Sequence, residues 1–169
     1  MKTFIVLLTL LTVVLFTAGC TEEVPKNATN LKNTSEKNHV VEATQLEQIN
    51  KSLQKGPVLL KIGADWCGPC QEMKPILSEL AKEYDGKATI MSVDADNSFE
   101  FANYFVINSI PDSSVIVGIE NGKYVYIQED GTVSNDRLRS RILGSRDKEV
   151  FKKILDLAIQ KSSLHKKIM

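Results

Sequence analysis

Two cysteines separated by two residues, Cys67 and Cys70, lie where an apolar run gives way to a helical pattern. The run, residues 58–62 (VLLKI), is nearly continuous in apolar side chains, which is typical of a central strand buried on both faces. After the cysteines, apolar residues recur at three- and four-residue spacing over residues 73–84, as they do on the buried face of a helix. The fold must therefore cover a buried strand and place both cysteines at its junction with a helix.

The rest of the chain alternates between strand and helix patterns. Strands are predicted near residues 40–41, 88–93, 115–119 and 124–128, and helices near 44–55, 99–105 and 145–161. The first of these helices begins with a capping box formed by Thr44 and Glu47. Asn121-Gly122 between two strand patterns indicates a hairpin turn. The order β-α-β-α-β-α-β-β-α predicts an α/β fold, with a single mixed β-sheet flanked by helices.

The N-terminus has the pattern of an export signal. Lys2 precedes an apolar run over residues 4–16, and small residues lead directly to Cys20. Signals with a cysteine at this point resemble those of bacterial and archaeal lipoproteins, whose cysteine is lipidated and becomes the first residue of the mature chain. We expect a signal peptide over residues 1–19, a lipid on Cys20 and a domain over residues 40–169.

The polar segment between them, residues 20–39, has no apolar period and is predicted to be a flexible tether. An uncleaved membrane helix is the alternative, because residues 3–21 are uncharged and a span needs about 20 residues. Both hypotheses predict that the protein is anchored to the outer face of the cell membrane. Lipidation of Cys20 would also account for the odd number of cysteines, which is three.

The charge balance limits the possible partners. The chain carries 21 basic and 21 acidic side chains, so its formal net charge is zero. A protein that binds nucleic acid normally concentrates basic residues to neutralise phosphates. We therefore exclude nucleic acid as a partner, and we expect a monomer.

The position of the two cysteines favours thiol chemistry. Cys67 at a helix start would face unpaired backbone N–H groups and the positive end of the helix dipole, which favour the thiolate. A thiolate attacks disulfides, and Cys70, one turn further along, could then attack the resulting mixed disulfide. The alternative of a zinc site is disfavoured because the chain adds only His39 and His165 to these two ligands, so no metal is assigned. A Cu(I) carrier needs only two thiolates and stays open, whereas a structural disulfide closing so short a loop would add little stability.

The segment Ala64-Asp65-Trp66-Cys67-Gly68-Pro69-Cys70 resembles the active site of the thioredoxin family. The resemblance extends over residues 40–160, because Pro75, the Ile110-Pro111 pair and Gly144 stand where the family has its counterparts.

This resemblance implies a thioredoxin fold and assigns roles to the matching residues. Cys67 would be the nucleophile and Cys70 the resolving thiol, with Trp66 part of the apolar surface beside them. Pro111 would be cis and would hold the backbone of Ile110 where an extended substrate can pair with it. The redox-active disulfide Cys67–Cys70 would need no further cofactor. Pro75 is expected to kink its helix.

The expected function is that of a membrane-anchored thiol-disulfide oxidoreductase. The Gly68-Pro69 pair resembles the strongly reducing members of the family, which favours reduction of disulfides in exported proteins. A membrane-embedded thiol carrier would supply the electrons. A cytochrome-maturation or disulfide-forming relative is one alternative, and a Cu(I) carrier that uses the same thiols is another.

Two departures from the family fall on the predicted central strand. Lys61 stands six residues before Cys67, where the family has a buried Asp, and Gly63 replaces an aromatic residue. We expect Lys61 either to accept the Cys70 proton as a neutral amine or, when charged, to lower the pKa of the thiol. In the alternative, its ammonium group extends to the surface and takes no part.

A third departure is an insertion at about residues 129–143, which carries Arg137, Arg139 and Arg141 at alternating positions. An extended strand would present all three on one face. The segment is expected to be a solvated excursion, with partner contact as the alternative. Asp112, directly after the expected cis proline, replaces the usual Thr and could alter which substrate backbones fit.

Overall fold

A computed structural model describes the backbone of residues 40–168 and the side chains of residues 40–163. The expected signal peptide, the tether and Cys20 lie outside the described residues. Between residues 40 and 168, no helix combines the length and apolar composition needed to cross a membrane.

The described residues form one mixed sheet with helices on both faces. The strands are β1 (Val41–Glu42), β2 (Val58–Gly63), β3 (Thr89–Asp94), β4 (Asp112–Glu120), β5 (Lys123–Ile127), β6 (Val133–Ser134) and β7 (Ile142–Leu143). The helices are α1 (Leu46–Leu53), α2 (Gly68–Glu83), α3 (Phe99–Tyr104), α4 (Arg137–Ser140) and α5 (Lys148–Ile168). The sheet runs β1-β3-β2-β4-β5-β6, and β7 pairs with β4. The α/β class predicted from the sequence, with a single mixed sheet flanked by helices, is confirmed.

The strand β2 lies in the interior of the sheet, and every one of its six residues is buried. It pairs in parallel with β3 and antiparallel with β4, so neither of its edges is open. Successive side chains point to opposite faces of a strand. Leu59 packs in a core with α2 and α5, whereas Leu60 and Ile62 pack in a second core with α1 and α3.

The helix α1 begins one residue later than its sequence predicts. Gln45, not Thr44, is its N-cap residue. The Gln48 Oε1 atom accepts hydrogen bonds from the backbone N–H groups of Thr44 at 2.7 Å and Gln45 at 2.9 Å. The predicted box of Thr44 and Glu47 is therefore wrong by one position, because a glutamine amide replaces the expected carboxylate as the acceptor.

The two antiparallel strands β4 and β5 are joined by the predicted Asn-Gly turn. Asn121 has a φ of 51° and Gly122 a φ of 75°, and Glu120 pairs directly with Lys123. A two-residue hairpin with positive φ at both positions matches the twist of the flanking strands. The strand β4 is longer than predicted and begins at Asp112, because β2 and β7 both pair with its first residues.

The insertion is an integral part of the sheet, which corrects the expectation of a solvated excursion. It contributes β6, α4 and β7, and its arginines do not share one face of a strand. The Arg137 side chain is 8% exposed and pairs with Asp112, which is fully buried. Arg139 remains 81% exposed.

The buried pair anchors the insertion to the start of β4. The Arg137 Nη2 atom donates to Asp112 Oδ1 at 2.6 Å, and Nη1 donates to the Phe105 carbonyl at 2.9 Å. The Arg137 guanidinium also lies 5.1 Å from the centre of the Phe105 ring. Arg141 adds a second cation 3.8 Å from Asp112. Burial raises the pKa of Asp112, and the positive charges of Arg137 and Arg141 oppose that shift.

Loss of this pair should destabilise the fold. Arg137→Met would leave Asp112 buried without its bidentate partner, and we expect the free energy of unfolding to fall by about 3–5 kcal/mol. Urea unfolding followed by circular dichroism measures the change. Arg139→Met removes an exposed arginine from the same short helix and should cost less than about 0.5 kcal/mol. Equal stability of the two variants would contradict the anchoring role.

Candidate active site

The two cysteines form a disulfide bond at the junction between β2 and α2. Cys67 is the N-cap residue of α2, and its Sγ atom accepts a hydrogen bond from the Cys70 N–H group at 3.2 Å. The Cys67 N–H group donates to the Ala64 carbonyl, which closes the turn out of the strand. In the reduced protein, the Cys67 sulfur would therefore lie at the positive end of the helix, where a thiolate is stabilised.

The two sulfurs differ in their access to solvent. Cys67 is 5% exposed, whereas Cys70 is fully buried on the face of α2 that also carries Met73 and Leu77. Gly68 and Pro69, which lie between the cysteines, are exposed. A disulfide substrate can therefore approach Cys67, whereas the surrounding protein shields Cys70 from it.

The Trp66 side chain is 73% exposed beside the disulfide. Its orientation is fixed by a hydrogen bond from the indole Nε1–H to Asp96 Oδ2 at 2.7 Å. The Asp96 backbone N–H group in turn donates to Asp94 Oδ1 at 3.0 Å. No local sequence pattern indicates this bond, because the two residues are 30 positions apart.

The peptide bond between Ile110 and Pro111 is cis, as the family resemblance implied. It immediately precedes β4, whose first residue pairs with Ile62 near the end of β2. The cis bond and the disulfide therefore lie at the same end of the sheet. The Gly144 N–H group donates to the Pro111 carbonyl at 2.9 Å, so the segment after the insertion also holds this loop. Within residues 40–163, the backbone of Ile110 has no hydrogen-bond partner.

Lys61 lies beneath the disulfide and is 4% exposed. The side chain therefore lies within the fold and does not project from it. A Cβ atom placed on Gly63 would lie 2.5 Å from Lys61 Nζ and 2.8 Å from Cys70 Sγ. The amine and the buried sulfur thus border the same methyl-sized space, which exists because residue 63 has no side chain.

A row of polar residues crosses the sheet at the level of Lys61. Ser92 pairs with Glu42 on one side and with Lys61 on the other, and Lys61 pairs with Ser113. The row passes from the exposed Glu42 through the half-buried Ser92 to the buried Lys61 and Ser113. Ser113 Oγ has no hydrogen-bond partner within the described part of the chain. The sequence alone does not reveal this row, because Glu42, Ser92 and Ser113 lie on three strands other than that of Lys61.

The charge state of Lys61 reflects this environment. Burial lowers the pKa of the Lys61 ammonium, and the negative charge of Glu42 partly offsets that shift. Partial loss of hydration raises the pKa of Glu42, and the positive charge of Lys61 opposes this change. Lys61 therefore releases its proton more readily than a lysine in water.

The acidic side chains on the surface near the cysteines are unsuited to accept the Cys70 proton. The Asp65 side chain is 86% exposed and pairs with Lys74 at 3.2 Å, and the hydrogen bond from Lys74 lowers the pKa of Asp65. Glu72 is exposed as well. Among the described residues, no group of three His, Cys, Asp or Glu side chains could hold a metal ion.

The sequence matches a known protein family. The sequence profile described as Thioredoxin matches residues 35–144, which is more than half of the chain. The chain is 44% identical over 62 residues to a thioredoxin of Staphylococcus haemolyticus, covering 37% of this chain and 60% of that protein. It is 42% identical over 69 residues to a chloroplastic M-type thioredoxin of Zea mays, covering 41% of each. The matched segments thus span less than two thirds of these relatives.

Solved thioredoxin structures share this fold, which confirms the predicted thioredoxin fold. A mutant thioredoxin from Halobacterium salinarum aligns with a TM-score of 0.54 at 20% identity, covering 73% of this chain and 93% of that one. A thioredoxin of Trichomonas vaginalis aligns with a TM-score of 0.54 at 22% identity, covering 69% of this chain and 95% of that one.

The different burial of the sulfurs predicts selective alkylation. In the reduced Cys20→Ser protein, iodoacetamide should modify Cys67 at least about tenfold faster than Cys70, because Cys67 combines access with a stabilised thiolate. Peptide mass mapping at increasing times measures both rates. In urea the two thiols should react alike. Preferential modification of Cys70 in the folded protein would contradict this assignment.

Proposed function

Because the chain belongs to the thioredoxin family, we propose that it is a thiol-disulfide oxidoreductase that acts through Cys67 and Cys70. The observation that supports this most directly is the unequal pair of sulfurs at the start of α2. Cys67 keeps 5% exposure at the positive end of the helix, next to the exposed Gly68 and Pro69, and Cys70 is fully buried one turn away. This arrangement suits dithiol-disulfide exchange in two steps.

In the first step, the Cys67 thiolate attacks one sulfur of a substrate disulfide and releases the other as a thiolate. In the second, the Cys70 thiolate attacks Cys67 Sγ, so that the Cys67–Cys70 bond forms and the bond from Cys67 to the substrate breaks. Two electrons pass from the two thiols to the substrate disulfide. The substrate leaves as two thiols and the protein retains the disulfide.

The surface around Cys67 suits an extended protein substrate. The exposed indole of Trp66 provides an apolar contact whose orientation is fixed by Asp96. The backbone of Ile110, which is unpaired within the described residues, lies at the same end of the sheet and offers a donor and an acceptor for strand pairing. We therefore propose protein disulfides as the substrate class.

We further propose that the substrates are exported proteins. The sequence supports a lipid anchor on Cys20, and a polar tether over residues 20–39 would separate the domain from the outer face of the membrane. The Gly68-Pro69 pair between the cysteines resembles reducing members of the family, for which thioredoxin at about −270 mV is the reference. Electrons would come from a membrane-embedded thiol carrier.

The catalytic assignment is tested by reduction of insulin with dithiothreitol as electron donor. The Cys20→Ser protein should accelerate the precipitation of insulin chains, and Cys67→Ser in that background should abolish the acceleration. Cys70→Ser should instead accumulate a mixed disulfide with the substrate, because the resolving thiol is missing. Mass spectrometry identifies this species. Undiminished activity of the Cys67→Ser variant would overturn the proposal.

The direction of electron transfer is tested by equilibrating the protein with glutathione buffers. A potential near the roughly −270 mV of thioredoxin is expected, whereas a value near about −120 mV, as in a strong oxidant, would indicate a disulfide-forming role. The same titration is repeated with Cu(I). Tight copper binding together with negligible disulfide exchange would overturn the enzymatic proposal in favour of a copper carrier.

The anchor is tested in cells that process lipoproteins. The wild-type protein should fractionate with membranes and carry a lipid on Cys20 as its first residue, whereas Cys20→Ala should abolish this modification. Mass spectrometry of the membrane form measures both properties. An intact Met1 with an unmodified Cys20 would contradict the lipoprotein assignment.

A further inference from the structure

We propose that Lys61 accepts the proton of Cys70 when the mixed disulfide is resolved, and that Gly63 provides the space in which the amine meets the sulfur. This proposal rests on the proposed thiol-disulfide exchange. The family resemblance predicts a carboxylate at position 61. The base proposed here is instead an amine, which is positively charged when protonated.

The geometry brings the two groups together from different elements. Lys61 and Gly63 lie on the same face of β2, since side chains two residues apart in a strand point the same way. Cys70 approaches that face from α2. A Cβ atom on Gly63 would lie 2.8 Å from both Lys61 Cε and Cys70 Sγ, and 2.5 Å from Lys61 Nζ. Any side chain at position 63 would displace either the amine or the sulfur.

The amine is available for this contact. Among the described residues, Lys61 makes no ion pair or side-chain hydrogen bond, although it is almost completely buried. The charged groups that influence it are Glu42 on β1, Lys74 on α2, Asp65 in the loop before α2 and Asp94 at the end of β3. Glu42 has the largest influence of these four, and it is exposed at the outer end of the polar row. The outer end of the row is therefore in contact with solvent, two strands away from the buried amine.

The proposed step balances protons and electrons. The neutral Lys61 amine takes the proton from the Cys70 thiol, which leaves a thiolate beside an ammonium ion. The thiolate attacks Cys67 Sγ, the Cys67–Cys70 bond forms, and the bond to the substrate sulfur breaks. The departing substrate thiolate takes up one proton, which comes either from the Lys61 ammonium or from solvent. In the second case Lys61 releases its own proton to solvent, so the amine is neutral again at the end of either route.

The sign of the charge distinguishes this site from one with a carboxylate. A carboxylate that stays ionised near Cys70 repels the thiolate, whereas an ammonium ion attracts it. In a buried site this attraction is stronger than in water. The amine therefore stabilises the reduced protein in its thiolate form, and removal of the amine should shift the potential of the couple to a more negative value.

The test uses 5,5′-dithiobis(2-nitrobenzoate) and the reduced Cys20→Ser protein in stopped flow. A first release of the coloured thiolate reports attack by Cys67, and a second release reports attack by Cys70 on the mixed disulfide. In Lys61→Met the first phase should be unchanged, while the second should be about ten- to hundredfold slower at neutral pH. The second phase should recover only at higher pH, where the Cys70 thiol ionises unaided.

Two further variants separate this role from a structural one. Gly63→Ala keeps the lysine but places a methyl group between Nζ and Sγ, so it should slow the second phase in the same pH direction. Lys82→Met removes an exposed lysine from the last turn of α2 and should leave both phases unchanged. Lys61→Met should be at least as stable as the wild type, because it removes an almost completely buried amine that has no hydrogen-bond partner among the described residues.

The outcomes distinguish this inference from the proposed function. A missing first phase in the wild-type protein would contradict thiol-disulfide exchange itself. An unchanged second phase and pH profile in Lys61→Met would overturn only the role of Lys61. Slowing in Gly63→Ala without slowing in Lys61→Met would also overturn it, since the methyl group would then act on the sulfur alone.

Discussion

The double-sided burial of β2 is the constraint on which the rest of the structure depends. Its neighbours β3 and β4 satisfy its backbone, and helices cover both of its faces. Because the strand has no exposed face, its end is held firmly where the chain leaves the sheet. The end of β2 therefore sets the positions of the turn through Ala64 and of Cys67 at the start of α2. The position of the reactive sulfur is thus set by hydrophobic packing, although the adjacent residues Gly68 and Pro69 are exposed.

The same burial decides what a polar residue in the strand can do. Leu59 uses the α2 face for packing, whereas Lys61 on that face has its amine next to Cys70. A lysine in an apolar strand would ordinarily be unfavourable, because desolvation penalises its charge. Here Glu42 lies at the other end of a polar row, and the missing side chain of Gly63 leaves room for the amine. The two departures from the family pattern are therefore one structural feature.

The insertion is held by a second buried charge, at the opposite face of the sheet. Asp112 follows the cis proline directly, and Arg137 crosses from the insertion to neutralise it. A buried pair of this kind is weak evidence for added stability, but loss of one partner leaves a costly isolated charge. The pair therefore couples the insertion to the loop that carries Ile110. The bond from Gly144 to the Pro111 carbonyl strengthens this connection.

The sequence by itself determined the α/β class, the strand before the cysteines, the helix after them and the hairpin at Asn121, because these depend on local periodicity and turn chemistry. It also identified Lys61 and Gly63 as departures from the family pattern. Tertiary structure decided what those residues meet. The row from Glu42 to Ser113 crosses four strands. Arg137 is buried because it pairs with Asp112, an aspartate 25 positions away. Spacing along the chain could not reveal these contacts, because the register between strands, which brings distant residues together, is set by the packed sheet.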